Sequence, residues 1–138
     1  MAACLLGAIA PDFDLLYFYL ADSCQHHHHS YFSHWPVVWI SLLLLSLLWF
    51  ILRKGSAAQL SIIFTGNALL HIALDGVVGD VQLLAPWCDE YYALATVPAR
   101  YTPWWLNFIL HWSMIVELII CATAGYFFLS SVKKKRRN

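Results

Sequence analysis

WPVVWISLLLLSLLWFIL, residues 35–52, carries no charged side chain along its whole length. At a rise of 1.5 Å per residue such a stretch spans about 27 Å as a helix, close to the thickness of a bilayer's hydrocarbon core. One membrane-spanning helix is therefore predicted here. A second apolar stretch covers 57–78 and a third covers 103–132, each long enough to cross with some tilt. The first residues are also apolar, but Pro11 and Asp12 interrupt them before they reach spanning length. The fold class that follows is an all-α integral membrane protein of about three transmembrane helices, preceded by an N-terminal half-helix or re-entrant segment. The 138 residues read as a single helical membrane domain, with 1–34 as its N-terminal segment and 133–138 as a basic tail.

Composition agrees. A chain that is 61% hydrophobic and 12% charged, with positive mean hydropathy, is too apolar for an ordinary soluble domain. No basic segment precedes the first apolar residues and acidic residues follow at once, so a cleavable signal peptide is not expected. Four cysteines stand without CxxC spacing, which excludes a zinc knuckle or a redox motif, although Cys24 and Cys88 fall on one side and can form a disulfide. No Gly-rich phosphate loop and no GxSxG elbow occurs. The Lys133 to Arg137 run is a topology determinant that also attracts anionic lipid, and nucleic-acid binding is not expected.

Charge placement orients the bundle. Arg53 and Lys54 follow the first span and the basic tail follows the third, which puts this side in the cytoplasm by the positive-inside rule. Asp80, Asp89 and Glu90, balanced only by Arg100, lie between the second and third spans and face outward. The expected location is a bacterial inner membrane, with a cytoplasmic C-terminus and the polar ends toward the periplasm. Most of the tryptophans and several tyrosines cluster near the outward helix ends, where interfacial anchoring accounts for them. His111 and Glu117 fall within the third apolar stretch. His111 is read as a hydrogen-bonded helix partner or as an addition to a polar site.

The run APDFDLLYFYLADSCQHHHHSYFSH, residues 10–34, brings Asp12, Asp14 and five histidines up to the first span. Ionisable groups held this close to a bilayer are usually in use. HIALD, residues 71–75, places His71 and Asp75 one helical turn apart on one face, able to hold a metal or simply each other. Asp12 also suits a helix cap after Pro11. If the helices alternate, all these groups meet at the outward face and supply more than four nitrogen and oxygen ligands, enough for one open ion or two bridged ions.

These residues resemble the YdjM/YbcI-like family of small membrane-bound metal-dependent hydrolases. The likeness rests on Gly7 leading into Pro11-Asp12-Phe13-Asp14, then on His29 and Ser33-His34. It continues through Gly66 with His71 and Asp75, and ends on Gly79 through Leu83-Leu84-Ala85-Pro86. Ser30-Tyr31 stands where many relatives carry Arg-Gly. The resemblance implies Asp12, Asp14, His29, His34, His71 and Asp75 as metal ligands, with His28 a substitute for His29 and with Asp14 or Asp75 as bridging or proton-moving carboxylate. It implies one or two divalent ions, zinc first and manganese or iron as alternatives. The expected activity is hydrolysis of a membrane lipid or lipid-linked phosphoester, ester or amide at the outer interface. The alternative is a metal-binding or metal-transport membrane protein without hydrolytic activity.

Overall fold

Helix α1 spans Ala2–Ile9, after which Pro11, with no N–H to give, opens a single 3₁₀ turn over Pro11–Phe13. Helix α2 then runs over Asp14–Leu20, and the two arms are bent by 54° at the proline. The computed structural model describes every residue except Cys24, Trp104 and Asn138, with the side chains of residues 28 and 134–137 also outside the described set. Two further 3₁₀ turns, His28–Ser30 and Phe32–His34, lead into helix α3, Pro36–Arg53, which takes Pro36 in its first turn. Lys54 ends α3 in the left-handed conformation, its N–H on the carbonyl of Phe50, and the extended Gly55 starts helix α4, Ser56–Val78.

The two-residue link makes α3 and α4 an antiparallel hairpin, fastened midway by a 2.6 Å bond between the hydroxyls of Ser46 and Ser61. Helix α4 packs against both α3 and α1. The α1 contact is a backbone contact, because a Cβ at Gly7 would overlap the carbonyl oxygen of Phe64. The Cys4 thiol reaches Asn67 Oδ1 at 3.2 Å beside it. Trp39, Ala68, Ile72 and Val81 form the small buried core, with Ala10, Phe64 and Leu69 against it. Leu44, Leu45, Leu48, Ile51 and Leu52 stay exposed along α3, as lipid-facing side chains do.

After α4 the chain turns back. Val81 and Tyr92 exchange two backbone bonds of 3.0 and 2.9 Å, and the N–H groups of Leu94 and Ala95 bond to the last carbonyls of α4 at Gly76 and Val77. No strand is formed among the described residues beyond this isolated bridge.

The chain divides into two compact units, Met1–Thr96 and Val97–Asn138. In the second, helix α5 covers Trp105–Ile109 and helix α6 covers Trp112–Arg137. The expected third span over 103–132 is therefore broken at Leu110 and His111, and the stretch that can cross is Trp112–Lys133. The break has a local cause. Asn107 pins the preceding loop with bonds to the N–H groups of Arg100 and Tyr101 and to the carbonyl of Tyr101. His111 Nδ1 stands 3.0 Å from Ser113 Oγ and accepts the Ser113 N–H, so the imidazole caps α6 instead of lying within it. With Pro36–Arg53 and Ser56–Val78, three helices are long and apolar enough to cross a membrane, and the bent N-terminal pair accompanies them. This is the all-helical membrane fold the hydropathy pattern predicts.

Candidate metal centre

The bend at Pro11 sets Asp12 at the end of α1 and Asp14 at the start of α2. The segment before α3 is held by two indoles: Trp35 Nε1 donates to the carbonyl of Ser30 at 3.1 Å, and Trp39 Nε1 to that of Ser33 at 2.6 Å. These bonds drive His34 inward until it is fully buried. His71 and Asp75, one turn apart near the end of α4, complete the cluster.

Four side-chain atoms face one another. His34 Nε2 lies 3.7 Å from Asp12 Oδ1 and 3.8 Å from Asp75 Oδ2, while His71 Nε2 lies 3.5 Å from Asp12 Oδ1 and 3.0 Å from Asp75 Oδ2. Ligands at about 2.1 Å around a tetrahedral ion stand about 3.4 Å apart. The observed spacing brackets that value. His71 Nε2 and Asp75 Oδ2 are buried and stand close enough to pair with each other, yet neither completes a well-aligned hydrogen bond among the described residues. Donor set and spacing together fit a divalent cation. Asp12, His34 and His71 form one trio, and His29, His34 and Asp75 a second, overlapping one, the donor atoms of each lying within 4.8 Å of one another.

Behind the donors stands a supporting layer. His34 donates from Nδ1 to Asp14 Oδ2 at 2.6 Å, and the Ser33 hydroxyl donates to the same oxygen at 2.6 Å. This fixes the tautomer that turns Nε2 toward the cluster and makes that nitrogen a better ligand. Burial pushes the His34 imidazolium toward losing its proton, but Asp12 and Asp14 outweigh it and hold the group above its ordinary value. His29 Nδ1 lies 3.0 Å from the carbonyl of Asp80 in the loop after α4. Gly79 makes room for that ring, since a Cβ there would approach His29 Cε1 to 2.8 Å. On the far edge, Asp22 accepts the N–H groups of Gln25 and His26 and pairs with the His26 ring at 2.7 Å, which holds its carboxyl down near about 2.

Of the six side chains singled out in the sequence, five meet in the two trios: Asp12, His29, His34, His71 and Asp75. Asp14 takes the position behind His34. The His28 side chain is outside the described set, as is Cys24, while Cys88 is a free thiol. Sequence reasoning missed the roles of Gly79, of Ser33 on Asp14 and of the Asp80 carbonyl, the last because a backbone group has no side-chain signature. A specific outcome follows for Asp14. Asp14→Asn keeps the shape but gives up the charge that holds His34, and should weaken zinc binding ~10–100-fold. Competition against a chelator-buffered zinc series measures it, and an unchanged affinity would remove Asp14 from the supporting layer.

The model of a family described as YdjM inner membrane protein matches residues 1–137. No curated protein and no solved structure matches the chain. With apolar helices of spanning length and a match over nearly its whole length, the chain belongs to the YdjM inner membrane protein family.

Proposed function

We propose that this membrane protein is a metal-dependent hydrolase acting at the outer membrane–water interface on a lipid or lipid-linked phosphoester, ester or amide. The observation that carries the reading is the set of four N···O separations between 3.0 and 3.8 Å among His34, His71, Asp12 and Asp75. When bound there, a divalent ion would polarise a substrate oxygen and make a water acidic enough to attack near neutral pH. Zinc suits the mixed imidazole and carboxylate donors, and manganese or iron fits the same set.

The chain's own groups divide the remaining work. His34 closes the cluster on its buried side, while the Asp12 and Asp75 side chains are 40% and 26% exposed and leave the other side open to water and substrate. Of the two carboxylates considered for the proton of an attacking water, Asp14 is bonded to His34 and Asp75 is partly exposed, so Asp75 would take that role. Asp14 keeps the His34 Nδ1 proton in place. The charge asymmetry of the ends supports an outward-facing site and a cytoplasmic C-terminus. Protein reloaded with zinc or manganese should hydrolyse at least one member of a broad lipid and phosphoester panel, and no turnover on any member would overturn the reading.

Acidity offers an independent check. Since the folded protein holds the His34 proton above the ordinary imidazole value, that stabilisation is full below about pH 6.5 and is lost as pH rises through the raised value. Metal loading runs the other way, because the ligands must be free of protons. The unfolding midpoint of metal-free protein should fall as the pH rises above about 6.5, while added zinc raises it most at the alkaline end. A metal-free midpoint that climbs above that pH contradicts the assignment of His34.

A further inference from the structure

The second unit holds a pocket of its own. A cavity of about 330 Å³ opens at the break between α5 and α6, and its lining includes the polar Arg100, Asn107 and His111 together with Tyr101, Leu110 and Trp112. That volume admits a small polar group with a few carbons, at the low end for ligand pockets. Its walls are built. Asn107 holds the backbone of Arg100 and Tyr101 through three hydrogen bonds of 2.8, 2.8 and 3.0 Å. His111 commits Nδ1 to Ser113, which leaves Nε2 as the ring nitrogen for a ligand.

Arg100 is the single basic residue between Lys54 and Lys133, and among the described residues its guanidinium makes no ion pair and no hydrogen bond. A guanidinium presents paired donors that match two oxygens of a phosphate. Tyrosine and tryptophan, both in the lining, are the side chains found at headgroup depth, where one end of a ligand is wet and the other greasy. We propose that this pocket binds the phosphate group of an anionic phospholipid, with Arg100 as its counter-ion and Leu110 and Trp112 against the first carbons beyond it. The inference is separate from the hydrolase reading and stands whether or not the chain has turnover.

The test uses the full chain in neutral detergent, titrated with short-chain phosphatidylglycerol and followed by native mass spectrometry. One lipid per chain should be retained. Arg100→Gln should weaken retention at least ~10-fold, and Trp112→Leu should weaken it without any change of charge. Lys54→Gln removes the same charge outside the pocket and should leave affinity within about twofold, while the basic tail contributes equally to all variants. Unchanged circular dichroism shows that the variants remain folded. Equal losses in Arg100→Gln and Lys54→Gln would overturn the site, as would equal retention of phosphatidylcholine. Displacement of the lipid by inorganic phosphate at matched concentration would overturn the lipid assignment.

Discussion

Alanine at Asp12 or at His71 is expected to empty the centre of divalent metal and to lower hydrolysis at least ~10³-fold, the equivalent of about 4 kcal/mol of transition-state stabilisation. The two residues sit on different elements, one at the bend after α1 and one near the end of α4, and meet at 3.5 Å. Removing either leaves three of the four closely spaced donors. Elemental analysis of each purified variant measures the loss. If wild-type protein holds one ion and both variants hold none, the donors share a single site. A variant that keeps one of two ions would assign the overlapping His29, His34 and Asp75 trio to the second. Metal bound in the wild type without turnover on any substrate would favour the binding or transport alternative. Wild-type metal content in both variants would end the metal reading altogether.

Gly7→Ala should be the most destabilising single methyl added to the first unit. The new Cβ would overlap the Phe64 carbonyl oxygen and lie within 3.0 Å of the Phe64 backbone carbons, atoms that cannot rotate aside. Helix α1 must then lift from α4, at a cost of about 3 kcal/mol, the upper end of ordinary overpacking. Because α1 delivers Asp12, metal affinity should fall together with stability. Gly66, on the same helix α4, has open space where its Cβ would go, so Gly66→Ala serves as the control and should gain a little from better helix propensity. Chemical denaturation in detergent reads both. Equal stability of the two variants would mean that α1 does not rest on α4 at Gly7.

The centre is partly legible in the amino-acid sequence. His71 and Asp75 share a face because four residues make about one helical turn, a relation that needs no tertiary information. The pairing of Asp14 with His34 was not legible. Which of two carboxylates flanking Phe13 turns inward depends on the 54° bend at Pro11 and on where α1 rests against α4. The supporting carbonyl of Asp80 was likewise hidden, since its place comes from the loop folding back onto the end of α4.

The amino-acid order alone determined that the chain enters a membrane and roughly where it crosses, because the cost of leaving charge in hydrocarbon is paid locally, residue by residue. It also determined which side chains were available as ligands. Tertiary structure decided which of them meet, which one stands behind another, and that the third span starts at Trp112 after a capped break. Those outcomes depend on contacts between segments far apart in the chain, where a shift of a few ångströms separates a ligand from a bystander.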